Sequence, residues 1–323
     1  MQAASLVTLL ALIPGALLQA PGSAPPANPT LTSAAPTAAT PTPSPAKSPS
    51  LAPAPSTGLT DVQILNFALN LECLEAEFYN YAAYGSGLTP ELRGGGPTPI
   101  GGQKANLTAD ALNVVTEIAR NEAQHVGFLR SALGTSAVAC PLVNIGSAFS
   151  QAANAAVMST TFNPAYSPYI NDVDFWLASY LLEDVGVSAY KGAAPLISNK
   201  QYLSAAAGIL AVEAYHAGIA RLIIFMEGEQ PVTVNPNPPT NTNVFGVATV
   251  IDSLREMLGP VQGPATDSAS AGVQFPNGTA NIIPVDANSI AYGRTVEEVL
   301  GIVYGSGVTN LKPGLFFPNG INM

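Results

Sequence analysis

Two short stretches of this chain carry the residue types and the spacing that chemistry needs: Glu122-Ala-Gln-His125 and Glu213-Ala-Tyr-His216. Residues three apart on a helix share a face, so each pair aims a carboxylate and an imidazole in one direction. Mixed oxygen and imidazole donors are the ligands that Fe, Mn and Zn accept. One Glu-x-x-His alone is more often a solvated helix face. Here both histidines of the chain carry a Glu three residues earlier, and that repetition makes a pattern.

The elements that must hold these pairs are helices. A first is expected over 61–83, opened by a capping box at Thr60 and Gln63, with Leu65, Leu69, Glu72, Ala76 and Tyr79 along one face. A second runs over 109–133 behind Thr108 and presents Val115, Ile118, Glu122, His125 and Leu129. A third spans 173–190 with Trp176, Glu183, Val187 and Tyr190 aligned, and a fourth 198–226, opened by a second box at Ser198 and Gln201. A short helix is expected near 145–158 in the connection between the pairs. Tyr follows Glu by seven residues in the first and third helices, and each of these precedes a helix bearing Glu-x-x-His. The result is an all-α four-helix bundle with a long crossover.

In such a bundle Glu72, Glu122, His125, Glu183, Glu213 and His216 meet at one level. One Glu from each of two helices plus Glu-x-x-His from the other two is the inventory of a dinuclear metal centre. Four carboxylates in an apolar core repel one another and are costly to desolvate. Two transition-metal ions, Fe or Mn ahead of Zn, supply the compensating charge. No catalytic group beyond these ligands is expected. The competing reading is a set of buried hydrogen-bonded residues, or a site that has lost its metal. Tyr79 and Tyr190 are candidate donors to the ligand carboxylates, against plain core packing. Glu75 and Glu117 are expected to face outward.

The ends of the chain suggest where it works. Residues 1–22 read as a secretory signal peptide, with an apolar run over 6–18 too short to span a bilayer. Residues 23–58 are a disordered linker of Pro, Ala, Ser and Thr. The bundle is expected over 59–227, and 228–323 as an irregular C-terminal extension with short helices near 244–258 and 295–304. No further membrane span is expected. Lys47 is the only charged residue before Asp61, which leaves 10 basic against 21 acidic residues in the remainder. An acidic chain without a basic stripe argues against nucleic acid partners. Asn106 and Asn277 stand in N-glycosylation sequons. Cys73 and Cys140 form a candidate disulfide, with two buried thiols as the alternative.

Longer motifs carry a resemblance. LNFALNLECLEAEFY (65–79), GGGPTPIGGQKANL (94–107), LASYLLEDVG (177–186), SIAYGRTVEEVLGIVYG (289–305) and GLFFPNG (314–320) resemble the ferritin-like, desiccation-related proteins of plants, algae and bacteria. The resemblance runs from about residue 59 to the C-terminus. It implies a ferritin-like bundle in a secreted or cell-wall-associated protein linked to water stress, with no settled activity. Two classes of function follow. One is a di-metal oxidoreductase, a ferroxidase or a catalase-like centre acting on oxygen or peroxide. The other is a non-enzymatic extracellular stress protein attached to the wall through its Pro-rich linker.

Overall fold

The computed structural model describes residues 58–158, 161–235, 240–262 and 271–323. The expected signal peptide and nearly all of the linker lie outside them. Thr60 opens helix α1 (Asp61–Tyr84): its hydroxyl accepts from the Gln63 amide at 3.3 Å, and Gln63 Oε1 accepts from the Thr60 amide at 3.0 Å. Gly85 ends it with φ 77, a left-handed cap that a Cβ would strain. Helix α2 (Ala109–Leu133) starts behind Thr108, α3 (Ser147–Ala156) lies in the crossover, and α4 (Asp172–Ala193) starts behind Asn171. Helix α5 (Lys200–Met226) is capped by Asn199, whose Oδ1 accepts from Gln201 N at 2.8 Å. The expected capping box at Ser198 is therefore not formed. The Ser198 and Asn199 amides are instead held by the Asp61 carboxylate at 2.9 and 2.8 Å, which ties the start of α5 to that of α1.

Hydrogen bonds fix the helix directions. Asn66 Nδ2 donates to Ser136 O and Asn80 Nδ2 to Ala119 O, so α1 and α2 run antiparallel. Asp184 meets Arg221 while Gly186 meets Glu213, so α4 and α5 do the same. The crossover carries α3 and β1 (Thr161–Phe162). That strand pairs with β2 (Pro231–Asn235), and β2 with β3 (Thr240–Asn243), in one antiparallel sheet. These strands have no counterpart in the sequence expectation. The fold remains all-α in class, since the sheet is a small clasp beside the helices.

The C-terminal segment adds α6 (Val244–Leu258) and α7 (Val296–Tyr304), the latter opened by a capping box of Thr295 and Glu298. It shares the bundle's core: Val247, Ile251, Val299, Ile302, Phe316 and Phe317 belong to the same apolar cluster as Phe78, Phe149 and Trp176. Near the chain end, Asn322 N donates to Asn70 Oδ1 at 2.9 Å and Asn70 Nδ2 returns a bond to Asn322 O at 2.7 Å.

By length and composition helix α5 could cross a membrane. Its inward face, however, carries Glu213, His216 and Arg221, all buried within the bundle.

Candidate metal centre

Each of the four long helices sends acidic or imidazole groups to one level of the bundle. Glu72 comes from α1, Glu122 and His125 from α2, Glu183 from α4, and Glu213 and His216 from α5. The four carboxylates are fully buried, and of the two imidazoles only His125 keeps a little exposure. All six residues predicted from spacing meet. They form two groups of four: Glu72, Glu122, His125 and Glu213 in one, and Glu122, Glu183, Glu213 and His216 in the other. Glu122 and Glu213 belong to both, so the sequence-related pair of Glu-x-x-His motifs supplies the shared carboxylates.

The contacts inside the first group test whether a cation fits. His125 Nδ1 lies 3.2 Å from Glu72 Oε2, 3.4 Å from Glu122 Oε2 and 3.4 Å from Glu213 Oε1. One N–H cannot serve three carboxylates. Donor atoms that share one ion at about 2.1 Å stand roughly 3.0–3.4 Å apart, which is the spacing found. In the second group His216 Nδ1 approaches Glu122 Oε1 at 2.8 Å and Glu183 Oε2 at 3.6 Å. Both oxygens of Glu122 and of Glu213, with Glu183 Oε2 and His216 Nδ1, are buried without an aligned hydrogen-bond partner. Buried acceptors left in this state are costly, and a bound cation is what satisfies them together. The residues fit a two-ion site.

The tyrosines are part of the same construction. The Tyr190 hydroxyl donates to Glu72 Oε1 at 2.5 Å, and the Tyr79 hydroxyl donates to Glu183 Oε1. Each terminal carboxylate therefore has one oxygen taken by a phenol and the other, Oε2, turned to an imidazole. Ser179 Oγ lies 2.6 Å from the Tyr79 hydroxyl, and Asn121 Nδ2 lies 3.3 Å from His216 Nε2. Sequence reasoning missed both. Ser179 is one turn before Glu183 on the same face, so helical spacing could have found it.

The electrostatics describe a site short of positive charge. Burial raises Glu72 to about 7, with the Glu122 charge adding to it against the pull of His125. Burial also works on Glu122, but bonds and charge from His125 and His216 outweigh it and hold the group at about 2. Glu213 goes the other way, pushed well above the carboxylate range by burial and by the charges of Glu122 and Glu72. Burial opposes protonation of His216, yet the carboxylates of Glu183 and Glu122 raise it to about 11. His125 is raised too, for the same reason. Without a metal the imidazoles hold protons as the available cations, and a metal must displace them.

Two expectations about nearby carboxylates separate here. Glu117 is exposed, as expected. Glu75 is buried, against expectation. The cause is that α1 is covered around its whole circumference, every residue from Ile64 to Tyr79 being buried.

The ferritin-like domain model matches residues 60–226, which span all four ligand helices. The desiccation-related protein PCC13-62 of Craterostigma plantagineum is 33% identical over 249 residues, 75% of this chain and 76% of that protein. This chain belongs to the ferritin-like, desiccation-related family. A ferritin-like catalase, Nec2 of Nesocodon mauritianus, is 31% identical over 246 residues, 74% of this chain and 76% of that protein. Both alignments are longer than the bundle, so they draw on residues beyond the ferritin-like domain.

Cys73, next to Glu72, is bonded to Cys140. The bridge joins α1 to the segment after α2, and Arg130 Nη2 donates to Cys140 Sγ at 3.4 Å. Asn106 and Asn277 are both exposed, the first with its Nδ2 bonded to Ile170 O at 3.2 Å.

Proposed function

We propose that this member of the family is a secreted protein whose bundle holds two redox-active ions, Fe or Mn, and acts on oxygen or peroxide. The observation that carries the reading is the sharing of Glu122 and Glu213 between two four-residue groups, together with their four unsatisfied oxygens. The relative named as a ferritin-like catalase supports peroxide as the substrate. The apolar run over 6–18 and the Pro-rich segment behind it support secretion, and wall association through that segment extends the same reading.

When bound, such a pair of ions would relay electrons, between two peroxide molecules in a disproportionation or from Fe(II) to oxygen. The chain's own residues do the rest. Glu72 and His125 would hold one ion, Glu183 and His216 the other, with Glu122 and Glu213 between them. Tyr190 and Tyr79 each donate to Oε1 of a terminal carboxylate, so Oε2 of Glu72 and of Glu183 is the oxygen that would face its ion. Burial of all four carboxylates excludes bulk water and strengthens every charge interaction inside.

The test is reconstitution of the metal-free protein with Fe(II) or Mn(II), reading bound metal, melting temperature, and oxygen or peroxide consumption. Two ions per chain with turnover is the expected result. His125→Ala and His216→Ala should each lose metal and turnover together, while Glu117→Ala keeps both. Chelation should also lower the melting temperature, since it leaves buried carboxylates uncompensated.

A second reading has its own support in the relative named as a desiccation-related protein. In it the same centre is structural, and the protein protects the extracellular matrix without turnover. Two bound ions that stabilise the fold but consume neither oxygen nor peroxide would decide for it.

A further inference from the structure

The bundle repeats itself with a fixed register. Asp61 and Asp172, Glu72 and Glu183, and Tyr79 and Tyr190 are each separated by 111 positions, while Glu122 and Glu213, and His125 and His216, are separated by 91. The matched residues do matched work. Asp61 holds the amides of Ser198 and Asn199 at the start of α5, and Asp172 holds the Thr108 amide at the start of α2. The tyrosines cross over to opposite carboxylates.

The register breaks at Glu75, on the side of α1 near the centre. Glu75, three residues after Glu72, corresponds to Gly186, three residues after Glu183. A Cβ on Gly186 would stand 2.5 Å from Glu213 Oε2 and 3.2 Å from Glu75 Oε1. The missing side chain on α4 thus leaves the space into which the carboxylate from α1 and the shared carboxylate from α5 both reach. Glu75 lies outside the two four-residue groups, but it is buried beside them. No ion pair or side-chain hydrogen bond among the described residues involves it. It lines a small cavity together with Leu182, Gly186, Ile302, Val303 and Phe316, so α7 and the segment after it form part of its surroundings.

We propose that Glu75 belongs to the metal centre as its fifth carboxylate, serving the position held by Glu183, Glu213 and His216 and making the two ion positions unequal. The inference rests on the two-ion reading above. The opening that Glu75 and Glu213 share lies at Gly186, one turn beyond Glu183 on α4, which sets Glu75 on the side of Glu183 and Glu213. A buried carboxylate whose neighbours are other carboxylates is costly in the metal-free protein. An ion in the adjacent position removes that cost.

The test compares wild-type protein with Glu75→Gln, a near-isosteric change, by calorimetric titration of the metal-free protein with Mn(II) and by melting temperature with and without the ion. In the variant, one Mn(II) should bind as in wild type and the second at least ten-fold more weakly. The metal-free variant should melt higher than metal-free wild type, and its gain on metal addition should be smaller. Glu75→Leu, whose side chain suits the apolar cavity, should behave the same way and guards against a failure particular to Gln. Two wild-type affinities in both variants would overturn the proposal, as would a lower metal-free melting temperature with an unchanged metal-induced gain. Wild-type protein that binds no Mn(II) and no Fe(II) would overturn the two-ion reading itself.

Discussion

The Tyr190 hydroxyl on α4 donates to Glu72 Oε1 on α1 at 2.5 Å. Its repeat-mate Tyr79 on α1 donates to Glu183 on α4. Each ligand carboxylate is thus oriented by the helix that carries the other. Removing a phenol leaves a buried carboxylate oxygen without its donor, at a cost of about 1–3 kcal/mol. Tyr190→Phe should lower the melting temperature accordingly and weaken metal binding about 10- to 100-fold. Tyr79→Phe should do the same, and because these bonds act on different carboxylates, the double variant should bind metal more weakly than either. Metal titration of the three variants checks the prediction. Unchanged affinity in both single variants would reduce the tyrosines to packing.

The Cys73–Cys140 bond closes a loop with a sequence separation of 67. Loop-closure entropy for that length is about 4 kcal/mol at 25 °C. Cys140→Ser, which leaves Cys73 small and apolar beside Glu72, should lower the melting temperature substantially. Reductant should then shift the wild type and not the variant. Because Cys73 adjoins a ligand, a loss of metal affinity in the variant would show that the bridge also steadies the site.

Glu77 offers a pH prediction away from the ligands. Burial raises it to about 7, offset in part by the Leu88 amide and Arg93. Leu88 N donates to Glu77 Oε2 at 3.0 Å, while Arg93 stands off at 3.6 Å. A carboxyl raised on folding contributes stability below its unfolded value of 4.5 and loses it as pH climbs toward 7. Glu77→Gln can still accept from Leu88 and has no proton to lose. The variant should gain on wild type between pH 4.5 and 8, by on the order of 2 kcal/mol at the upper end. Melting temperatures of the pair across that range test it. A difference that does not change with pH counts against the shift.

Much of this architecture was legible from local signals. The Thr60–Gln63 box and the Thr108 cap set two helix starts, and the 3–4 spacing around Glu122 and Glu213 put the ligand pairs on inward faces. What stayed hidden depends on partners distant in sequence. Glu75 lies three residues from Glu72 on a helix apolar nearly all round, so no polar face existed for it to occupy. The start of α5, capped by Asn199, is also held by Asp61, far along the chain. Strands β1 to β3 are short, and their pairing brings Phe162 against Val234, a match no local pattern announces. Cysteine spacing gave no distance between Cys73 and Cys140.

The last prediction concerns what the C-terminal segment does for the site. Asp184, beside Glu183, accepts from Arg221 on α5 at 2.5 Å and from Arg255 on α6 at 2.7 Å. Arg255 also donates to Tyr180 O on α4, and Arg221 to Gly272 O and Asn281 O in the segment beyond α6. The aspartate thus joins the two ligand helices of the second half to the segment that covers them. Its carboxyl stays ionised because the two guanidiniums outweigh the cost of burial. Asp184→Asn removes the charge and leaves two buried cations with one fewer counter-ion, a change that typically costs about 3–5 kcal/mol. The loss should be uneven in space. Hydrogen exchange in α6 and α7 should rise before that of α1 and α2, because the apolar contacts of the first helix pair do not depend on this network. Uniform destabilisation of all helices would mean instead that the segment and the bundle unfold as one unit.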